Sequence, residues 1–288
     1  MLKLNNKILF WFRLSALLVV VFFLISDLVL TIINPAGINA DLGYAERVSN
    51  YYAFFTTQSN YIVAAYFLGY LFESKFRNTR PSDVIKLAVV TYITVTMLVF
   101  WFGIFTNTQT NTSYSSYEWI STIILHLVIP FCMILSYILT AGESQYNIRN
   151  HYKLSLWLIL AYPVLYFVVI LIRGIFRQMD HRPEGTWFPY FFLNIYQPNG
   201  ILILALIFIC ILVLFVGLQY IYLWINNMLF RRNKGETLNT TVNKKVFGIN
   251  TKPLPIKNEK VFIPATLINL NKSYVKKIAD SKNEKNVK

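Results

Sequence analysis

The chain is poor in charge, in acidic residues and in sulfur. Of its 288 residues 14% are charged, 13 are acidic, and Cys132 and Cys210 are the two cysteines. Both cysteines lie inside long apolar runs, which excludes a disulfide framework and a cysteine-rich metal site. The three histidines, His126, His151 and His181, are too few for a histidine-rich metal centre.

The sequence also lacks the common signatures of soluble enzymes. It contains no Walker loop, no Rossmann glycine triplet, no His-Glu-x-x-His motif and no Gly-x-Ser-x-Gly motif. These motifs bind phosphate, dinucleotide or zinc, or present a nucleophilic serine. We therefore expect no bound cofactor and no metal ion.

Apolar residues dominate instead, at 56% hydrophobic and 17% aromatic, with a mean hydropathy of +0.47. This is too apolar for an ordinary soluble domain. A bilayer core of about 30 Å needs about 20 mostly apolar residues per helix. Six segments meet that length: residues 14–33, 51–72, 87–105, 119–139, 154–172 and 201–228. The sequence predicts an all-α, polytopic membrane protein with six transmembrane helices.

Basic residues predict the orientation of these helices. With a cytoplasmic N-terminus, 23 of the 27 Lys and Arg residues fall in cytoplasmic segments and 4 fall outside. Because cytoplasmic loops carry the excess of basic residues, both termini are predicted to be cytoplasmic in a multi-pass protein of the cell membrane. The length of the first segment, together with its Asp27, favours a retained helix over a cleaved signal peptide.

The C-terminal part differs from the rest and divides the chain into a transmembrane domain, residues 1–230, and a basic tail, residues 231–288. The last 60 residues hold 14 basic residues, with many Asn, Thr and Ser. This composition predicts a disordered cytoplasmic tail that contacts anionic lipid, or one that is only a solvated anchor. We expect membrane lipids as partners and no nucleic acid. The sequence does not indicate an oligomeric state.

Polar residues inside the predicted spans are candidates for a functional site, because they are costly in hydrocarbon. At 1.5 Å per residue, Asp27, Thr56 and His126 lie about 9, 8 and 10 Å below the outer membrane boundary. Pro130 follows His126 by one turn and clashes with the His126 carbonyl, which predicts a bend and an exposed backbone acceptor. The alternative role for such residues is hydrogen bonding that fixes helix packing.

Several of these residues belong to short motifs that occur in order along about residues 10–228. The chain thereby resembles a bacterial family of six-helix membrane proteins and, more distantly, the eukaryotic androgen-induced-gene family of integral membrane hydrolases. The motifs are Phe54-Phe55-Thr56-Thr57-Gln58-Ser59-Asn60, Leu125-His126 with Pro130, Tyr162-Pro163 with Tyr166, Arg173-Gly174, and Phe188-Pro189-Tyr190.

The eukaryotic resemblance implies a threonine hydrolase that cleaves fatty acid esters of hydroxy fatty acids, with its Thr at Thr56 and its His at His126. A Thr hydroxyl needs an adjacent base to become a nucleophile, and His126 can supply one. Asp27 could orient the imidazole. The candidates for stabilising an oxyanion are Gln58, Asn60 and Arg173.

Arg173 has a second possible role, since its position at the end of the fifth predicted span would let it hold a carboxylate or phosphate head group. An arginine there can also simply extend to the membrane interface. The aromatic run at residues 186–192 predicts a re-entrant or surface-lying cap.

Three functions are compatible with this pattern. The first is an intramembrane hydrolase or acyl transferase acting on a lipid ester, with Thr56 as nucleophile and His126 as general base. The second is a small-solute or proton-coupled transporter that uses Asp27 and His126 as a relay. The third is a non-catalytic membrane protein whose polar layer fixes helix packing.

Overall fold

A computed structural model describes residues 6–35, 37–77, 79–104 and 115–246, and for residues 38, 104 and 236–246 it describes the backbone alone. Helices make up 84% of the structure, and the described part contains no strand. The all-α fold predicted from the sequence is therefore confirmed.

The main helices, numbered in chain order, are α1 (Asn6–Ile33), α2 (Tyr44–Ala53), α3 (Phe55–Phe72), α4 (Asp83–Val99), α5 (Ser116–Ile123), α6 (Ile129–Leu139), α7 (Leu156–Met179) and α8 (Gly200–Val246). Single π-helical turns extend α3 and α4 and precede α6 and α7, at Glu73–Arg77, Phe100–Ile104, Ile124–Val128 and His151–Ser155. Helix α8 continues beyond residue 230, where the sequence predicts the tail to begin. Residues 247–288 of that tail lie outside the described part.

Five stretches are long and apolar enough to cross a membrane: Asn6–Ile33, Asp83–Gly103, Ser116–Leu139, Ile148–Met179 and Gly200–Gly235. They lie in α1, α4, α5 with α6, α7 and α8. Helix α3, the remaining predicted span, has 18 residues, but its first turns carry the polar run Thr56-Thr57-Gln58-Ser59-Asn60. The structure is thus that of a helical protein suited to a membrane.

Helix α3 lies inside the bundle, where it packs against α1, α2 and α4. Its Ser59, Asn60, Val63 and Phe67 side chains are completely buried. Among the five apolar stretches, the one in α4 is the most buried and the one in α8 the least. The polar face of α3 is therefore shielded by neighbouring helices, and the apolar surfaces of α1 and α8 form the outside of the bundle.

Pro130 has no N–H to donate to a carbonyl of the preceding turn. The turn Ile124–Val128 is π-helical, and the indole Nε1 of Trp101 donates to the His126 oxygen at 3.0 Å. The Leu125 oxygen accepts from the Asn60 amide at 3.2 Å. The exposed carbonyl predicted at His126 is confirmed, and side chains from α3 and the end of α4 satisfy both groups.

Pro163 creates the same problem within α7, where the carbonyl four residues earlier belongs to Ile159. The hydroxyl of Tyr92 on α4 donates to that oxygen at 2.7 Å. Both helix prolines are thus compensated by aromatic donors from α4 or its π-helical extension, which fixes the position of α4 against α5, α6 and α7.

The bundle has two ends. We call the end that contains α2, the start of α3 and the connection 180–199 the cap end, and that connection the cap loop. At the opposite end, Asn226 accepts from the Gly142 N–H and donates to the Ser144 carbonyl, both at 2.8 Å. Asn227 bonds the backbone of Tyr146 in both directions, at 2.9 and 3.0 Å. These two asparagines bind the loop after α6 to α8.

Candidate functional site

Arg173, near the end of α7, fixes the cap loop. Its Nη1 donates to the carbonyls of Thr186 and Trp187, at 3.5 and 3.3 Å. Its Nε and Nη2 donate to the side chains of Ser49 and Asn50 on α2, at 3.3 and 2.5 Å, respectively. The arginine suggested by the sequence as a head-group clamp or an oxyanion donor instead joins α2, α7 and the cap loop.

Gly174, the next residue, makes room for an aromatic side chain of the cap loop. A Cβ at this position would lie 2.0 Å from Cε1 of Phe188, so the ring lies directly on the helix backbone. Phe188, Phe192 and Leu193 are buried in a small apolar cluster with Ile170. The aromatic run 186–192 therefore folds back onto the helices.

The folded cap loop brings Tyr190 to the first turn of α3. Its hydroxyl lies 3.2 Å from Oγ1 of Thr56, where either oxygen can be the donor, and it accepts from the Thr56 N–H at 3.4 Å. The Tyr190 ring stacks on Phe192 with centroids 5.2 Å apart. Burial raises the pKa of Tyr190, although its hydrogen bonds with Thr56 act in the opposite direction. The phenol is therefore protonated at neutral pH and can donate a hydrogen bond.

A cavity of about 70 Å³, partly open to the outside, lies beside this pair. Its wall is formed by α3, α4 with its π-helical extension, α7, α8 and the cap loop. The polar groups on the wall are four hydroxyls, those of Thr56, Thr96, Tyr166 and Tyr190, and the other lining residues are aromatic, aliphatic or proline. The site is an apolar chamber with a hydroxyl pair at one side.

His126 lies in the π-helical turn before α6. Its Nδ1 is 3.0 Å from the Thr122 carbonyl, which can only accept, so Nδ1 carries the proton and Nε2 is the basic nitrogen. The imidazole stacks on Phe100, with centroids 3.7 Å apart and planes at 29°. Phe100 also lines the cavity, whereas His126 does not, so Phe100 contacts both the chamber and the imidazole.

Thr56 and His126 lie on elements that pack together, α3 and the turn Ile124–Val128. In the described part of the chain, no hydrogen bond joins the two side chains. Asn60 connects their surroundings, since its amide nitrogen donates to the Thr56 carbonyl at 2.9 Å and to the Leu125 carbonyl. The Asn60 Oδ1 atom is buried and has no partner among the described residues.

Asp27 is held by a neighbouring helix and not by the imidazole. Its two carboxylate oxygens accept from the hydroxyls of Tyr117 and Ser121 on α5, both at 2.6 Å. Both oxygens thus have strong hydrogen-bond donors, and neither bonds to His126 within the described residues. The suggested role of Asp27 in orienting the histidine does not appear in this arrangement.

Gln58 is also engaged elsewhere, because its Nε2 donates to the Tyr52 carbonyl and its Oε1 accepts from the Tyr162 hydroxyl, both at 2.8 Å. None of the three suggested oxyanion donors lines the cavity. Tyr190 does line the cavity, but the sequence did not identify it as a partner of Thr56, because the two residues are 134 positions apart. The one signal that could have found it is the Phe188-Pro189-Tyr190 motif.

The described residues contain no cluster of three or more His, Cys, Asp or Glu side chains that could hold a metal ion. No protein-family model, curated protein or solved structure matches the chain. The resemblance to the two membrane-protein families therefore depends on the motifs alone. The geometry of the site is the basis for its chemistry.

Proposed function

We propose that the protein is a multi-pass protein of the cell membrane with six spans and both termini in the cytoplasm. The five apolar stretches support this arrangement, and α3 is the sixth span because its polar residues face the bundle interior. Six crossings also place 23 of the 27 basic residues on one side. The cap loop then lies at the outer face.

Within this framework the protein is an intramembrane hydrolase of lipid-like esters, with Thr56 as nucleophile and His126 as general base. The observation that carries the proposal is the Thr56 hydroxyl on the wall of an apolar cavity, bonded to a half-buried tyrosine. An apolar wall suits the acyl part of an ester, and the hydroxyl lies where the ester carbonyl would enter. The partly open cavity allows a lipid to enter from the bilayer.

His126 suits the role of base because its proton is held on Nδ1, which leaves Nε2 as the acceptor. The Phe100 ring stacks on the imidazole and His126 does not line the cavity, so the reaction requires that ring to move and open a path to Nε2. Thr56 Oγ1 then attacks the ester carbonyl, its proton passes to Nε2, and the alcohol leaves with that proton. Water then attacks the acyl-Thr56 ester while Nε2 takes its proton. The bond between the acyl carbon and Oγ1 breaks, Oγ1 takes that proton back, and the acid leaves. Tyr190 donates to the carbonyl oxygen during both steps.

Turnover of 4-methylumbelliferyl octanoate by the purified full-length protein tests this proposal. Thr56→Ala and His126→Ala should lower the rate by at least about 10²-fold, the usual effect of losing a general acid or base. Thr57→Ala is the matched control, since this neighbouring threonine does not line the cavity. Wild-type rates from a folded Thr56→Ala or His126→Ala protein would contradict the proposal.

The second candidate function is binding of an apolar molecule without turnover. The specific observation in its favour is that the Thr56 hydroxyl bonds to Tyr190 and not to a base. In that case the wild-type protein releases no product from the ester but still retains it. The same assay, combined with equilibrium binding of the ester, distinguishes the two functions.

A further inference from the structure

Among the described residues, the cavity wall carries hydroxyl groups but no charged side chain. The polar groups there are Thr56, Thr96, Tyr166 and Tyr190, and no Lys, Arg, His, Asp or Glu of the described chain contributes to the wall. The segment 105–114, which follows the helical extension that bears Phe100, also contains no charged residue in its sequence. The chamber therefore offers polarity without charge.

Arg173, beside the cap end, does not supply a cation to this chamber. All three nitrogens of the Arg173 guanidinium donate to protein groups, on Ser49, Asn50, Thr186 and Trp187. Releasing it would break the contacts that hold the cap loop. A carboxylate, phosphate or sulfonate in the chamber would thus be buried without a counter-ion, which is strongly unfavourable.

Two of the four hydroxyls already have protein partners outside the Thr56–Tyr190 pair. Thr96 is 2.8 Å from the Ser59 hydroxyl, and Tyr166 donates to the Ala53 carbonyl at 2.8 Å. Thr56 and Tyr190 bond mainly to each other, and a phenol with a raised pKa remains a donor. The polar atom that best suits this hydroxyl pair is a neutral acceptor such as an ester carbonyl oxygen lying beside it.

We propose that this site takes the neutral carbonyl group of a lipid and excludes an anionic group from the chamber; this deepens the proposed function and depends on it for the location of the site. The cavity is about half the volume of an apolar cavity that admits benzene, at about 150 Å³. It therefore holds the ester group and the adjacent carbons, and the rest of the chain extends through the opening into the bilayer.

Competition photolabelling in lipid nanodiscs tests the charge selectivity directly. The full-length protein is labelled with a diazirine-bearing methyl palmitate, and methyl palmitate and hexadecanesulfonate compete at equal mole fractions of lipid. Methyl palmitate should compete at least about tenfold better than the sulfonate, because a sulfonate buried in the chamber finds no counter-ion. The crosslinks should fall on peptides that contain Thr56 or Tyr190.

Equal or better competition by the sulfonate would overturn the inference, and so would crosslinks outside the cavity wall. A charge-introducing variant, Leu212→Arg on the cavity wall, should improve competition by the sulfonate, whereas the neutral control Leu212→Gln should not. Ester turnover is measured on the same preparation. If methyl palmitate competes better than the sulfonate but no ester is hydrolysed, the proposed hydrolase activity is wrong and the charge selectivity holds. If the ester is hydrolysed but the sulfonate competes equally well, only the charge selectivity is wrong.

Discussion

Replacement of Gly174 by alanine tests how the cap loop is held against α7. The added Cβ would lie 2.0, 2.4 and 2.5 Å from three ring atoms of Phe188. Carbon atoms in favourable contact are about 3.5–4.0 Å apart, so the buried ring must move by about 1.5 Å. Overpacking of this kind costs about 1–3 kcal/mol. Displacing the ring also pulls on Tyr190, two residues further along the loop.

The control is Gly69→Ala in α3, where an added Cβ would meet no atom within 4 Å. Both glycines are helical, so both substitutions gain about the same helix propensity, up to about 1 kcal/mol, and their difference isolates the clash. Thermal unfolding in detergent, followed by tryptophan fluorescence, should place Gly174→Ala about 1–3 kcal/mol below Gly69→Ala in stability.

A shorter side chain at position 188 should rescue the variant. In the double variant Gly174→Ala with Phe188→Leu, the loss should be smaller than the sum of the two single losses, because the clash no longer exists. Equal melting temperatures for Gly174→Ala and Gly69→Ala, or strictly additive losses in the double variant, would show that the Phe188 ring does not pack on the backbone at position 174.

Three further predictions concern contacts away from Gly174. Tyr92→Phe should lower the free energy of unfolding by about 1–3 kcal/mol, because a buried carbonyl of α7 loses its donor. In a Pro163→Ala background the restored N–H can bond to that carbonyl, so the loss should be much smaller. Additive losses in this double-mutant cycle would contradict the prediction. Asn226→Ala should lower the stability by about 1–3 kcal/mol, because two hydrogen bonds to the loop after α6 are lost; an unchanged melting temperature would speak against this clamp. Burial raises the pKa of Tyr190 in the folded protein, so the folded state holds the phenol proton more tightly than the unfolded state does. The resulting stabilisation is fully present below about pH 10, the pKa of a free tyrosine, and is lost as the pH rises through the folded-state pKa. Tyr190→Phe should therefore show a shallower alkaline loss of stability in melting curves recorded from pH 8 to 11, and identical slopes would argue against the buried phenol.

The all-helical fold could be predicted from the sequence, because apolar run length alone determines it. Helix α3 shows the limit of that reasoning, since it is central in the bundle but less apolar than the other predicted spans. Its polar residues are accommodated by neighbours, as in the contact between Ser59 and Thr96. Hydropathy gives the mean cost of placing a whole segment in hydrocarbon. It does not show which face of that helix is covered by another helix.

The candidate site was predictable where the chemistry is local. The freed carbonyl of His126 follows from Pro130 four residues later, and the structure shows it. The donor Trp101 could not be predicted, because it depends on where α4 lies relative to α5 and α6. Asp27 shares a predicted depth with His126 but bonds to α5 hydroxyls, since helix rotation is not fixed by hydropathy.

The motif residues near the cap loop gain a physical explanation only from the structure. Arg173 bonds the loop backbone, Gly174 admits the Phe188 ring, and Tyr190 then reaches Thr56. These residues are distant from Thr56 in the sequence, yet they together position one hydroxyl. Sequence spacing could suggest that the motifs matter, but not that they serve the same contact.

The most direct test of the proposed chemistry is to identify the residue that reacts with a lipophilic fluorophosphonate. The purified full-length protein is labelled and digested, and the modified residue is located by mass spectrometry. We expect an adduct on Thr56 that persists in Thr57→Ala and is lost in His126→Ala. An adduct on another residue, or no adduct on folded wild-type protein, would contradict the claim that Thr56 is an activated nucleophile.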